Sequence, residues 1–112
     1  MAEALNTFKT LTADLTTTNE IIYTTPEGVT TIVLLAQVAN ITNLEAEINF
    51  VYFDAITGEQ TELLTGFTIP GNDATSPITG KLVIEEGNSI RAYSNVNDRL
   101  VITLSILESL NA

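Results

Sequence analysis

The sequence contains no histidine, no cysteine and no tryptophan, and it has only four basic residues. The missing histidine and cysteine exclude disulfide frameworks, metal sites built on these residues and every nucleophile–histidine mechanism. Fourteen acidic residues bring the net charge to −10. Because nucleic-acid binding depends on Lys and Arg neutralising phosphates, we expect no nucleic-acid partner, and an anionic membrane surface would repel the chain.

Long apolar runs are also missing, because no stretch approaches the roughly 20 residues that a membrane-spanning helix needs. The first nine residues, MAEALNTFK, lack the basic start and apolar core of a secretory signal, so none is expected. What remains is a chain of 112 residues with a hydrophobic fraction of 45%. These values predict a single domain over residues 1–112, with residues 1–7 as a candidate N-terminal arm.

Strand-forming residues and regularly spaced turns dominate the chain. Thr, Val, Ile, Tyr and Phe favour the pleated surface of a sheet, and clusters of Gly, Pro, Asn and Asp recur at intervals suited to short strands. The pattern predicts an all-β fold, a single antiparallel β-sandwich of about eight strands with jelly-roll-like or Greek-key connections. The predicted strands are residues 7–15, 20–24, 30–40, 45–54, 59–68, 78–84, 89–94 and 99–107. For the first of these, a short helix is the open alternative.

Two of these strands differ in how their apolar residues are placed. In the strand 45–54, Ile48 and Phe50 belong to one apolar face, while the other face begins polar and becomes apolar at Val51 and Phe53. In the strand 30–40 both faces are apolar, which is typical of a strand covered on both sides. Its residues divide into two sets: Ile32, Leu34, Ala36 and Val38 on one face, and Val33, Leu35 and Ala39 on the other.

The strands 89–94 and 99–107 are predicted to form a hairpin through a three-residue loop. The alternation indicates that Ile90 and Ala92 face the core, together with the even-numbered residues of the second strand. This register leaves Tyr93 and Val101 outside and opposite each other. Asn97 or Asp98 is expected to take the positive φ that such a loop needs.

These placements predict a surface that binds other proteins. A contiguous apolar patch on a protein of this kind usually marks contact with another protein. The alternative is that a further strand or the second sheet of the same chain covers it. The residues of the predicted interface are Val33, Leu35, Val51, Phe53, Tyr93 and Val101.

Residues that could carry chemistry are few. Glu45 and Glu47 share a strand face, but that face is typical of a solvated one, and no spacing brings a Lys beside a Ser. Oxygen-rich loops at residues 72–73 and 95–98 could in principle hold calcium, although Asn and Asp in such places usually serve the turn itself. We therefore predict no catalytic residue, no metal site and no cofactor.

Four segments together resemble a widespread group of small virion structural proteins from tailed bacteriophages. They are residues 11–42 (LTADLTTTNEIIYTTPEGVTTIVLLAQVANIT), residues 67–70 (FTIP), residues 82–95 (LVIEEGNSIRAYSN) and residues 99–108 (RLVITLSILE). The group's Tyr-x-x-Pro-x-Gly, Ala-Asn and Gly-Asp-Ser-Ile motifs match at Tyr23, Pro26, Gly28, Ala39, Asn40, Gly87, Ser89 and Ile90. This chain departs at Asn88, where the group usually has Asp, and at residues 84–86.

The resemblance implies a non-enzymatic virion structural protein, most simply a capsid decoration or cement protein. Its partners would be other capsid, neck or tail proteins of the virion, with further copies of itself as a homo-oligomer. Two alternatives stay open: a neck or tail accessory protein, or a carbohydrate- or cell-surface-binding sandwich at a fibre tip. Platforms of Trp, which sugar sites often use, are absent from the sequence.

Overall fold

The computed structural model describes residues 6–78 and 80–111, and these residues form nine β-strands. The strands are β1 Asn6–Asp14, β2 Glu20–Thr24, β3 Val29–Asn40, β4 Ala46–Asp54, β5 Glu59–Ile69, β6 Ala74–Thr75, β7 Leu82–Ile84, β8 Ser89–Ser94 and β9 Leu100–Leu110. Over this described part of the chain, no helix is long and apolar enough to cross a membrane.

The strands pair into two antiparallel sheets. The five-stranded sheet has the order β1-β9-β3, with β6 and β7 both pairing the far side of β3, and the four-stranded sheet has the order β2-β8-β4-β5. This is the arrangement that two Greek keys produce in a jelly roll. The predicted all-β antiparallel sandwich with jelly-roll-like connections is therefore confirmed.

The core lies between the two sheets and is filled by the inward side chains of each strand. Ile48 and Phe50 from β4 meet Ile102, Leu104 and Ile106 from β9, and each of these is fully buried. The apolar residues at every second position of β4 and β9 explain this placement, because successive side chains of a strand point to opposite faces.

Most predicted strand boundaries agree with the structure to within one to three residues, and β2 and β8 agree fully. The prediction for residues 78–84 was too long, because only Leu82–Ile84 pair with β3, and residue 79 lies outside the described residues. The two-residue strand β6 was missed. The candidate arm falls largely outside the described residues, while Asn6 and Thr7 already belong to β1.

The predicted hairpin between β8 and β9 was wrong. β8 pairs with β2 and β4 in one sheet, whereas β9 pairs with β1 and β3 in the other. The link between them crosses the sandwich, with Asp98 at φ 63°. Ile90 and Ile102 are both buried as expected, because a strand needs only one apolar face toward the core and either sheet can supply it.

The sidedness predicted for β3 was half wrong, because the strand contains a bulge. Its register against β9 shifts between Val33 and Leu35, so that Leu34 has no direct partner. Before the bulge Val33 faces the core and Ile32 faces outward, the reverse of the prediction. After it, Ala36 and Val38 face the core as predicted, since a bulge adds one residue to the alternation.

At one end of the sandwich, Asn40 ties three segments together. Its side-chain amide donates to the carbonyls of Leu44 (2.7 Å) and Ile69 (3.1 Å), and its Oδ1 accepts from the Thr42 backbone N–H (3.0 Å) and hydroxyl (2.8 Å). Beside this network, the backbone of Gly71 lies directly against that of Asn43. The two loops are further joined by the bond from the Asn72 N–H to the Thr42 carbonyl, at 2.8 Å.

Candidate interaction surface

The six residues of the predicted interface do not form one surface. Val33 is in the core and is 0% exposed, because it precedes the bulge in β3. Leu35 and Val101 lie on the outer face of the five-stranded sheet. Val51, Phe53 and Tyr93 lie on the outer face of the four-stranded sheet, on the opposite side of the molecule. Tyr93 and Val101 are thus not neighbours, which corrects the prediction that they face each other.

Around Val51, Phe53 and Tyr93, the outer face of the four-stranded sheet is covered by its own side chains. The Arg91 guanidinium lies over the ring of Phe53, with its carbon 4.1 Å from the ring centre. The Tyr93 hydroxyl donates to Glu62 at 3.4 Å. Val51, flanked in register by Arg91 and Glu62, is only 1% exposed. This part of the predicted patch therefore offers little free apolar surface.

An apolar row crosses the outer face of the five-stranded sheet. Phe8 in β1 is paired with Leu107 in β9, Leu107 with Ile32 in β3, and Ile32 with Val83 in β7. Phe8 is 72% exposed and Val83 is 50% exposed, while the two middle residues are half-buried. We call these four residues the outer row.

The bulge in β3 widens the outer row. Leu34 and Leu35 are 39% and 46% exposed, although a regular strand would turn one of two successive residues inward. A pocket of about 260 Å³ lies beside the outer row and is lined by Phe8, Lys9, Thr10, Leu34, Ser105 and Ile106.

The same face is nearly free of charge. The register places Asp14 as the one charged residue among the described strand residues that point outward from this sheet. The rest are Thr, Ser, Asn, Gln and small or apolar residues, although the whole chain has fourteen acids. Depletion of charge around exposed apolar side chains is the compositional sign of an interface centre.

The outer row was missed from the sequence for a physical reason. In β1 the outward residues other than Phe8 and Asp14 are Asn and Thr, so the strand shows no apolar alternation to reveal Phe8. Ile32 was assigned to the wrong face because the bulge is invisible where both faces are apolar. One sequence feature could have indicated this surface. It is the excess of apolar residues in β3, which is typical of a strand that is covered on both faces or exposes one apolar face.

A polar cluster joins the two sheets near the C-terminal end of β9. The Tyr23 hydroxyl, from β2, bonds Thr31 (2.8 Å) and the carboxylate of Glu108, and Lys9 Nζ lies 2.9 Å from the same carboxylate. Thr25 closes the cluster by donating to Thr31 at 2.9 Å. Tyr23, the first motif residue of the phage resemblance, therefore acts here as a bridge between sheets.

The cluster shifts the pKa values of its members. Burial, and then the hydrogen bond and negative charge of Glu108, raise the pKa of Tyr23 to about 12. Burial would raise the pKa of Glu108, but the bonds from Tyr23 and Lys9 and the ammonium charge outweigh it and lower the pKa. Both shifts favour the protonated phenol beside the ionised carboxylate.

Raising the pH from about 8 to about 11 is expected to reduce the stability of the wild-type protein more than that of Tyr23→Phe. The pKa of Tyr23 is raised from 10.0 to about 12 by folding, so the unfolded chain releases its proton first. The contribution of Tyr23 to the free energy of unfolding is complete below pH 10 and is lost as the pH rises toward 12. Urea unfolding of both proteins at the two pH values measures this difference. Equal pH slopes would show that Tyr23 is not protected from ionisation.

The side-chain oxygens of the oxygen-rich loops accept hydrogen bonds from backbone N–H groups. Asn95 Oδ1 accepts from the Glu47 N–H (2.9 Å), Asn97 Oδ1 from the Thr17 N–H (3.0 Å) and Asp73 Oδ1 from the Ala74 N–H (2.8 Å). Within residues 6–78 and 80–111, no group of three or more acidic side chains is placed to hold a metal ion. These contacts are those of turn residues.

Comparison with known proteins gives similarity of fold. No protein-family model and no curated protein matches the sequence. A protein of the Bacillus endospore appendages, described as a family of disulfide-linked pili, superposes with a TM-score of 0.58 at 9% identity, covering 96% of this chain and 88% of that chain. The nucleoplasmin-like N-terminal domain of Drosophila FKBP39 gives a TM-score of 0.51 at 16% identity, covering 100% and 98%.

A pentameric capsid protein isolated from metagenomic phage sequences gives a TM-score of 0.45 at 18% identity, covering 89% of this chain and 60% of that chain. Similarity at that level establishes neither a shared fold nor a shared function. At their low identities, the first two structures show that the jelly-roll sandwich is shared, and they show nothing of function.

Proposed function

We propose that this protein is a non-enzymatic structural protein of a bacteriophage virion, a capsid decoration or cement protein that binds other virion proteins. The outer row, Phe8, Leu107, Ile32 and Val83, is the observation that carries the proposal. It gives a rigid, nearly uncharged sheet face on which a partner can bury apolar area without leaving charges unpaired. The resemblance of the sequence to small virion proteins supplies the kind of partner.

The pocket beside the outer row does not have the contacts of a catalytic site. Lys9 and Ser105 both line it, which is the pairing that a Ser–Lys mechanism would need. Lys9 Nζ, however, contacts Glu108, and the Ser105 hydroxyl contacts Thr10 at 3.4 Å. A nucleophile must be hydrogen-bonded to its base, and these two groups are each engaged elsewhere.

The alternatives differ in what they require. A neck or tail accessory protein would use the same face, so the outer row supports it equally, and the position in the particle decides between them. A carbohydrate-binding module would need aromatic rings presented at a loop. The three tyrosines instead lie in strands, and the hydroxyls of Tyr23, Tyr52 and Tyr93 contact Glu108, Asn88 and Glu62.

The test is whether the protein co-purifies with phage particles. Particles from a lysate of the source culture are banded by density and analysed by mass spectrometry for peptides of this chain. We expect the peptides in the band of DNA-filled particles. In a strain carrying Phe8→Asn with Val83→Asn, the particle-bound fraction is expected to fall at least about tenfold, as for loss of interface anchors. Wild-type protein confined to the soluble fraction would contradict the proposal.

Ile56→Asn is the matched control. Ile56 is 88% exposed, but it lies in the turn between β4 and β5, away from the five-stranded sheet. This variant makes the same kind of change on another surface and should leave the particle-bound fraction unchanged. Equal melting temperatures of all three purified proteins show that folding is not the cause of any difference.

A further inference from the structure

The described edges of the two sheets are unequal in how well they are protected from other strands. β2 has five residues and a register shift between Ile21 and Tyr23. β5 has two register shifts against β4, a glycine at φ 57° and two glutamates. β6 and β7 are only two and three residues long. Short strands, bulges and charges are the usual means of preventing edge-to-edge pairing.

β1 is neither short nor bulged. It is nine residues long and pairs with β9 from Asn6 to Asp14 without a shift in register. It contains no Pro and no Gly, and its two charged residues are Lys9 and Asp14. Lys9 is turned away from the outer face and contacts Glu108. The strand is therefore a long, regular edge of the kind that accepts another strand.

The direction of the free backbone groups follows from one hydrogen bond. The Leu15 N–H donates to the Leu100 carbonyl at 2.8 Å, in the same register as the β1–β9 ladder. Because antiparallel ladders alternate, the odd-numbered residues of β1 bond β9 and the even-numbered residues direct their N–H and C=O groups to the open edge. Among the described residues no strand pairs with that edge. The residues concerned are Asn6, Phe8, Thr10, Thr12 and Asp14.

We propose that β1 pairs antiparallel with β1 of a second copy of this chain, around a twofold axis at Thr10. The second copy is the partner because its own β1 is the one described edge that is both long and free of register shifts. A twofold contact of a surface with itself is the commonest way in which identical chains associate. The two five-stranded sheets then become one continuous sheet, with both outer rows on the same side.

The register follows from the residues of β1. A twofold axis at Lys9 would place two ammonium groups opposite each other, which is destabilising. An axis at Thr10 pairs all nine residues, with Asn6 opposite Asp14 and Phe8 opposite Thr12. Threonine facing threonine is a favourable cross-strand pair. This inference does not depend on the virion role, because it concerns the purified chain alone.

Single cysteines test the axis directly, since the natural chain has none. At Thr10 the facing Cα atoms would be about 5.5 Å apart, within the range that a disulfide spans. Thr10→Cys is therefore expected to form a disulfide-linked dimer under mild oxidation. Thr12→Cys is the matched control, exposed on the same face, but its two copies would be about 14 Å apart along the strands. Crosslinking of Thr12→Cys as complete as that of Thr10→Cys would overturn the proposed register.

Light scattering after size-exclusion chromatography tests the edge itself. The wild-type protein is expected to be a dimer whose melting temperature rises with protein concentration, and Thr10→Pro a folded monomer whose melting temperature does not depend on concentration. Proline there removes an N–H that the fold does not use and is tolerated at a strand edge. Thr10→Lys gives a second test if the proline variant fails to fold, because it places two like charges on the axis. A monomeric wild-type protein, or a Thr10→Lys variant that remains a dimer, would overturn the proposal.

Discussion

Asn40→Asp is expected to lower the free energy of unfolding at neutral pH by about 4 kcal/mol or more. Asn40 is 3% exposed, and its amide nitrogen donates to two carbonyls. A carboxylate has no N–H to donate, so the carbonyls of Leu44 and Ile69 would lose their donor and face a buried negative charge. Because a domain of this size is stable by about 5–15 kcal/mol, such a loss brings it close to unfolding.

The pH dependence identifies the cause. A carboxyl buried without a cation has a raised pKa in the folded protein, so the variant regains stability as the pH falls and loses it as the pH rises through that pKa. Urea unfolding at neutral and acidic pH measures both effects. Asn43→Asp, an exposed position in the same loop, adds the same charge and should change stability by no more than about 0.5 kcal/mol. Equal losses in the two variants would show that the Asn40 amide bonds contribute little.

Gly71→Ala is expected to cost about 3 kcal/mol, near the upper end for overpacking of a fitted site. An added Cβ would lie 2.5 Å from the carbonyl oxygen and 2.8 Å from the Cα of Asn43, and closer still to its carbonyl carbon. These are backbone atoms, so no side chain can rotate away. Relief would require separating the two loops and breaking the bond from the Asn72 N–H to the Thr42 carbonyl.

Gly58→Ala is the matched control for this effect. Gly58 has φ 75°, and a Cβ there meets no atom within 4 Å. Its cost is therefore that of a left-handed backbone alone, about 1 kcal/mol. Thermal or urea unfolding of both variants gives the comparison. If Gly71→Ala were no more destabilised than Gly58→Ala, the close contact between the loops would not constrain the fold.

The sequence was sufficient to predict most of the strands but not their partners. Alternation along β4 and β9 identified Ile48, Phe50 and Ile102 as core residues, because sidedness is a local property of a strand. Which sheet a strand joins is not local. Among the described strands, β4 and β5 are the one consecutive pair that bond each other, so the usual expectation of neighbouring hairpins failed at β8 and β9.

The candidate surface was predicted less well because it depends on the bulge and on pairing across the chain. One extra residue near Leu34 exchanged the faces of Ile32 and Val33, and nothing in an apolar run marks that position. Phe8 becomes part of an apolar row only when β9 places Leu107 beside it. Asn40, in contrast, could be recognised as a strand-end residue from its motif, although the two carbonyls that it bonds could not.

The central position of β9 in the five-stranded sheet also affects how the protein folds during synthesis. β1 and β3 do not pair with each other, because β9 lies between them and pairs with both. β9 follows every other described strand in the sequence. The ribosome therefore has to release residues 100–110 before Phe8 and Ile32 can lie in one surface. Contacts so distant along the chain favour slow folding, on the order of milliseconds to seconds. A nascent chain that is still incomplete thus presents neither the outer row nor the aligned edge of β1, so the two proposed associations require that residues 100–110 have been synthesised.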